Sequence, residues 1–139
     1  NALDIDLAQA MGVDVDKMIA RELGVHYVTM MGQIKWHTKK IGFHHGFGGG
    51  MNEWSDAQKV LTSYPDSDIV AVSHRHRLAT TNFKNSLGGH THRVDFVRTG
   101  SFIKHARYAD MAAYQPTSNG AAIVTLKGDK VFVDVSGEQ

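Results

Sequence analysis

The most informative segment of the chain runs from Ile41 to His76 and has an apolar run ending in histidine at each end. It begins with IGFHHGFGGG (residues 41–50) and closes with DIVAVSHRH (residues 68–76). Short apolar runs between turn signals predict buried strands. Side chains that follow such strands lie at the rim of a sheet, where α/β proteins place their ligand sites. The segment therefore predicts two strands that deliver histidines to a sheet edge.

The residues between the two runs predict a helix. Asn52 or Ser55 can cap it, and Tyr64-Pro65 breaks it. Its apolar positions recur at helical spacing, namely Trp54, Ala57, Val60 and Leu61. The order strand, helix, strand predicts a parallel crossover, which brings both histidine clusters to the same carboxyl edge of the sheet.

The histidines of this edge are candidate metal ligands. His74 and His76 are two residues apart, so on an extended segment their side chains point to the same side. Neutral imidazole is a common ligand for Zn, Mn and Fe. The pair can therefore face one metal ion or two adjacent ions. The alternative is that these histidines are only hydrogen-bonded.

A second H-x-H pair, His90 and His92, competes for this role. A strand is predicted over Leu78–Phe83, and Lys84–Gly89 is read as a glycine loop that interrupts it. The second pair follows this loop and not a buried strand, so nothing rigid is expected to hold it. The sequence favours His74 and His76.

The flanking residues predict structural cover. They indicate a hairpin that turns at Gly32, a short helix or irregular loop over His105–Tyr114, and a terminal hairpin. The predicted helices are Asp4–Ala10 and a helix capped by Asp14 that continues through Leu23 and stops at Gly24. The predicted strands of the two hairpins are Val25–Met30, Ile34–Thr38, Ala121–Leu126 and Lys130–Val135.

Composition bounds the class of protein. The chain has 139 residues, 42% of them apolar and 21% charged, which is ordinary for one soluble globular domain. The net charge of +1 gives no support for a nucleic-acid or anionic-membrane partner. The absence of cysteine excludes disulfides and thiolate metal sites, and it fits a reducing compartment such as the cytoplasm. No segment is apolar enough to predict a membrane span.

The order of these motifs resembles the calcineurin-like metallophosphoesterases. In that family a His-Gly strand end is followed by a helix and a buried strand ending in Gly-His-x-His. Residues 43–46 (FHHG) look like the first element, and residues 73–76 (SHRH) look like the second, with Ser in place of Gly. Residues 98–102 (RTGSF) are similar to the Gly-Ser turn that often follows. The resemblance covers most of the chain from Leu23 onward and implies an α/β fold, a mixed β-sheet sandwich flanked by helices.

The resemblance implies a metal-dependent phosphoester hydrolase with a dinuclear centre. In the family, two divalent ions activate a bridging water for in-line attack on phosphorus. The resemblance assigns His45 and His74 to one ion and His76 to the other, and it places Arg75 near the phosphate. His44 is disfavoured because it points to the opposite face of its strand from His45. Mn, Fe, Zn and Ni all suit the imidazole ligands, and the expected substrate is a phosphoester small molecule or a nucleotide.

The chain lacks three motifs that precede these in the family: Asp-x-His, Gly-Asp-x-x-Asp and Gly-Asn-His-Asp/Glu. They supply the bridging carboxylate, an Asn ligand and the histidine expected as general acid. Asn1 is not assigned as that Asn ligand, because no histidine follows it. The resemblance therefore places the general-acid histidine upstream of Asn1.

Residues 1–139 are accordingly interpreted as a single domain, the C-terminal part of such an enzyme. The chain by itself is expected to be inactive and prone to self-association. Two alternatives stay open, a nuclease of the same fold and a non-catalytic metal-binding or interaction domain.

Overall fold

The computed structural model describes residues 14–28, 31–46, 52–75, 77–100 and 119–138. Within these ranges the chain forms two helices and seven strands. The helices are α1 (Val15–Glu22) and α2 (Ser55–Ser63). The strands are β1 (Met31–Trp36), β2 (Lys39–His44), β3 (Ile69–Val72), β4 (Ala79–Leu87), β5 (His90–Arg98), β6 (Asn119–Lys127) and β7 (Lys130–Glu138).

Five of the strands form a mixed sheet in the order β1-β2-β3-β5-β4. Strands β2, β3 and β5 run parallel, whereas β1 and β4 pair antiparallel at the two edges. Strands β6 and β7 form a separate antiparallel pair, and β7 contacts β4 and β5. The predicted parallel crossover β2-α2-β3, the terminal hairpin and the mixed α/β class are confirmed.

The core lies between α2 and one face of the sheet. It is built from side chains that alternate along β3 and β5 and from the inner face of α2, namely Ala57, Val60, Val70, Val72, Val94 and Phe96. Trp54, Leu61 and Tyr64 pack against this cluster. The helical spacing that predicted α2 therefore identified its buried face correctly.

The predicted first hairpin is wrong. The residues of Val25–Met30 that the structure describes, 25–28, do not form a strand, and the real hairpin joins β1 to β2 through His37 and Thr38. Gly32 lies inside β1. A Cβ at this position would stand 2.9 Å from Cζ of Phe43 on the neighbouring strand. This glycine marks a close approach between strands and not a turn.

The prediction for residues 84–89 is also wrong. Strand β4 continues to Leu87, and only Gly88 and Gly89 form the turn, with φ of +57° and +83°. His90 and His92 therefore lie within β5, paired with Leu87 and Asn85. Their backbone is held by a ladder of hydrogen bonds, so a lack of rigidity is not what separates them from the first pair.

The start and end of α1 follow the prediction, whereas most of its apolar face is exposed. Asp14 caps the helix by accepting a hydrogen bond from the backbone N–H of Lys17 at 3.0 Å, and Gly24 follows it with φ of +64°. Met18 and Ile19 are more than half exposed. The predictions for Asp4–Ala10 and His105–Tyr114 lie outside the described residues. In the part of the chain that the structure describes, no helix has the length and apolar character needed to cross a membrane.

Candidate metal centre

The three parallel strands end level with one another. His44 pairs with Val72 of β3, and Val72 pairs with Arg98 of β5. The residues that follow these positions therefore emerge together at the carboxyl edge, where α/β proteins place ligand sites. His45 and His74 are both among them.

His45 and His74 are in contact at this edge. Nε2 of His45 lies 3.3 Å from Nδ1 of His74, and the two ring centroids are 5.2 Å apart. Both side chains are exposed to solvent. Ser73 holds the two segments together, because its Oγ donates to the carbonyl oxygen of His45 at 2.6 Å and its backbone N–H donates to the same oxygen at 3.1 Å.

The backbone around His74 is strained. His74 has φ of +72°, and the N–H of Arg75 donates to the carbonyl of Ser73 at 2.9 Å. A hydrogen bond from residue i+2 to residue i across a positive φ is a rare and strained γ-turn. Such strain persists only where the surrounding contacts determine the conformation, and it clusters at functional sites.

Gly46 makes this turn possible from the other strand end. Its φ is +109°, and a Cβ at this position would stand 2.6 Å from the carbonyl oxygen of Ser73 and 2.8 Å from Cβ of His74. Only glycine allows the two segments to approach this closely. The FHHG and SHRH elements are therefore fitted to each other through their backbones.

His44 occupies a different environment from His45. Its side chain is 5% exposed, and its Nδ1 accepts a hydrogen bond from the N–H of Gly46 at 2.6 Å. Burial lowers the pKa of His44, and the neighbouring His45 lowers it further, so the ring is favoured in its neutral form. The structure thus brings His45, and not His44, beside His74.

The spacing of the two rings fits a shared metal ion. Zinc binds imidazole nitrogen at about 2.0–2.1 Å in tetrahedral geometry, which separates two ligand nitrogens by roughly 3.3 Å. The separation of 3.3 Å agrees with this value, and it also lies within hydrogen-bonding distance, so a direct hydrogen bond between the two rings fits the same geometry. Among the described residues no group of three His, Asp or Glu side chains is placed to hold an ion.

Two predictions about the rest of the site fall outside the described residues. His76, predicted as a further ligand, is one of them. The other is the general-acid histidine, which is expected upstream of Asn1. Both the third imidazole ligand and the general acid therefore stay predictions.

Arg75 points toward buried charge. Its Nε lies 3.9 Å from Oδ2 of Asp56, which is 1% exposed, and Asp56 also lies 3.5 Å from the guanidinium of Arg98. Arg98 is fully buried, stacks on Trp54 at 4.6 Å and lies 3.3 Å from the carboxylate of Glu53. The sequence reading missed Asp56 and Arg98. The available signal for this ion pair was Arg98, which ends the buried run VDFVR (residues 94–98). A buried charge requires a counter-ion.

The competing pair lies at the other end of the sheet. His92 stands three positions before Asp95, which pairs with the first residue of β3, so the second pair belongs to the amino edge. There, Nε2 of His92 is 3.3 Å from the carbonyl oxygen of Ser67. His90 and His92 therefore do not share a site with His45.

Comparison with known proteins adds a fold likeness. No protein-family model matches the sequence, and no curated protein is similar to it at a significant level. Vps29 from Chaetomium thermophilum superposes with a TM-score of 0.54 at 15% identity, covering 79% of this chain and 61% of that one. This likeness, at such low identity, concerns the fold alone. Vps29 has the calcineurin-like metallophosphoesterase fold, in agreement with the fold class that the sequence predicts.

Two further structures are similar at lower scores. Entamoeba histolytica Vps29, solved in complex with zinc, gives a TM-score of 0.49 at 17% identity, covering 81% of this chain and 63% of that one. Thermotoga maritima protein TM1076 gives 0.42 at 16% identity, covering 78% and 54%. This chain thus spans less than two thirds of the length of each of these structures.

Proposed function

We propose that His45 and His74 bind a divalent metal ion, and that the chain supplies the histidine half of a metallophosphoesterase-type centre. The observation that carries this proposal is the 3.3 Å approach of the two imidazole nitrogens at the carboxyl edge. The shared fold with Chaetomium Vps29 supports it. In this proposal residues 1–139 belong to a larger phosphoester hydrolase domain, with His76 as a further ligand.

The chemistry proposed for the intact protein is hydrolysis of a phosphoester. Divalent ions, when bound, would polarise phosphate oxygens and lower the pKa of a bound water. The contribution of this chain is to present two imidazoles at a fixed spacing. The hydrogen bonds of Ser73 to His45 and the γ-turn at His74 set that spacing before any ligand arrives. The identity of the ion, Mn, Fe, Zn or Ni, is left open by imidazole ligands alone.

Metal analysis of matched histidine variants tests the proposal. We expect His74→Ala to lower the metal content of the purified chain more than His90→Ala, because His90 is exposed at the opposite edge of the sheet. His74→Asn repeats the test with less backbone strain, since Asn tolerates positive φ. Equal metal content in all three variants would contradict the assignment.

A non-catalytic metal-binding or interaction domain is the second candidate. The observation that favours it is the engagement of Arg75 with Asp56 at 3.9 Å, because this ion pair directs the predicted phosphate-binding guanidinium toward a buried carboxylate. A nuclease has no such support, since the net charge of +1 offers no excess of basic residues.

The two candidates differ in how hydrolysis depends on Arg75. In an intact phosphoester hydrolase, Arg75→Gln would raise KM for an aryl phosphodiester. In a non-catalytic domain, metal would bind without any turnover that follows the protein through purification. Measuring turnover and metal content on the same preparations of the intact protein therefore separates the candidates.

A further inference from the structure

We propose that Asp56 is a positioning residue for the histidine pair, holding the His74–Arg75 segment in place by bridging Arg75 to the buried Arg98. This inference rests on the metal-binding role proposed for His45 and His74. Asp56 acts on the pair through Arg75, whose Nε lies 3.9 Å from its carboxylate.

Asp56 links its helix to the end of β5 and to the connection that follows β3. It lies in the first turn of α2, is 1% exposed, and accepts a hydrogen bond from the N–H of Ala57 at 3.0 Å. A carboxylate in this turn also gains from the helix dipole. Because α2 packs on β2 and β3, Asp56 is fixed relative to the strands that deliver both histidines.

The two arginines that Asp56 contacts differ in mobility. Arg98 is 0% exposed, donates to the backbone carbonyl of Glu53 and stacks on Trp54, so its guanidinium cannot move away. Arg75 lies on the connection after β3 and is partly exposed. The charge of Arg75 opposes that of Arg98, and Asp56 offsets this repulsion.

Neutralising Asp56 would therefore displace Arg75. The two guanidinium groups that lie 3.9 and 3.5 Å from this carboxylate would then repel each other, and the repulsion is screened less beside the buried Arg98 than at the surface. The backbone N–H of Arg75 closes the γ-turn at His74. Because the displaced side chain pulls its own backbone with it, this hydrogen bond breaks and the turn opens. His74, held at φ of +72°, would then relax and leave its contact with His45.

The structure offers a matched control in Asp95. This carboxylate is also buried, with 5% exposure, and it accepts hydrogen bonds from Arg93 at 2.6 and 2.9 Å. It lies within β5, level with the first residue of β3 and away from the carboxyl edge. Asp95→Asn therefore removes a comparable buried charge without touching the histidine edge.

The experiment uses the 139-residue chain and two readouts. The first is the proton NOE between the ring protons of His45 and His74, recorded without metal. The second is the Zn²⁺ affinity measured by calorimetry. We expect Asp56→Asn to abolish the NOE and weaken Zn²⁺ binding roughly 10-fold to 100-fold, as outer-shell changes do at metal sites. Asp95→Asn should keep both, even where urea shows a similar loss of stability.

The outcomes separate positioning from metal binding. If Asp56→Asn does not fold, Arg75→Gln removes the same link while leaving the contact of Asp56 with Arg98, and it should give the same losses. A wild-type chain that shows the NOE but binds no Zn²⁺ would overturn the proposed function, and the NOE of the variants would still test positioning. An unchanged NOE in Asp56→Asn or Arg75→Gln would overturn the positioning role.

Discussion

Gly46 is the residue on which the approach of the two histidine segments depends most directly. We expect Gly46→Ala to destabilise the chain by roughly 1–3 kcal/mol, as for other residues forced into sparsely populated backbone conformations. It should also separate His45 from His74, since its Cβ would stand 2.6 Å from the carbonyl oxygen of Ser73. Urea unfolding and Zn²⁺ affinity measure the two effects.

Gly128→Ala is the matched control for this change. Gly128 also has a positive φ, +59°, but a Cβ there would meet nothing within 4 Å. It should therefore cost only the penalty of a left-handed residue, about 1–2 kcal/mol, and leave metal binding intact. Equal loss of Zn²⁺ affinity in both variants would contradict a specific role for Gly46.

Asp66 gives the stability of the chain an acid dependence far from the histidines. Its carboxylate accepts a hydrogen bond from Nε2 of Gln33 at 2.8 Å and pairs with Lys40. The hydrogen bond from Gln33, followed by that from Lys40, lowers the pKa of Asp66 below its ordinary value of 3.8. The folded chain thus binds fewer protons than the unfolded chain, so this stabilisation is present above pH 3.8 and is lost as the pH falls through the folded pKa.

We expect Asp66→Asn to flatten the fall in the urea midpoint between about pH 5 and about pH 3, because the variant has no carboxylate to protonate. Asp134→Asn, at an exposed position of β7, is the control and should keep the wild-type slope. The same slope in both variants would show that Asp66 is not the source.

The sequence predicts His45 and His74 as candidate metal ligands because strand alternation and strand ends are local features. The strand, helix, strand order also predicts a parallel crossover, which brings both strand ends to the same edge of the sheet. The contact of Asp56 with Arg98 could not be predicted in this way, since it joins residues far apart in sequence across a helix and a strand. The γ-turn at His74 likewise depends on the approach of Gly46 from another strand.

Among the elements, α2 and β2 are joined by a contact that Gly42 makes possible. A Cβ on Gly42 would stand 2.9 Å from Cγ1 of Val60 and 2.9 Å from Oγ of Ser67. We expect Gly42→Ala to push α2 away from the sheet and cost about 1–3 kcal/mol, as overpacking does in cores. Val60→Ala should make room, so the double variant should lose less stability than the sum of the single variants. Additive losses in urea unfolding would contradict direct contact.

The elements also show where sequence patterns fail. Gly32 and Gly88-Gly89 are both glycine signals beside apolar runs, yet Gly32 sits in a strand while Gly88-Gly89 turns. The difference lies in Phe43, which fills the space a side chain at Gly32 would need. Local sequence does not contain that partner. The packing of β1 against β2 therefore decides the position of the first hairpin.

At the scale of the whole molecule, the outer strand β1 is an edge with apolar exposure. We propose that this edge supports self-association, because unpaired strand edges template pairing with another chain. Ile34 of β1 is 51% exposed and Ile19 of α1 is 52% exposed. We expect Ile34→Glu to shift the chain toward monomer in sedimentation velocity, while Ile19→Glu leaves the distribution unchanged. The reverse result would place the association on the helix face.

Catalysis by the 139-residue chain would need more than the histidine pair. We expect no hydrolysis of an aryl phosphodiester at an enzymatic rate, even with excess Mn²⁺. The residues at the carboxyl edge bring imidazoles, whereas the Asp motifs that supply the bridging carboxylate in metallophosphoesterases do not occur in the sequence. Two cations held close together would then repel each other with little compensation, so the second ion should bind poorly and the clamp on both reacting oxygens should be lost. The missing general acid alone accounts for about 10²–10⁴-fold in rate. Turnover that follows the protein through purification and disappears in His74→Ala would show that the missing motifs are not needed.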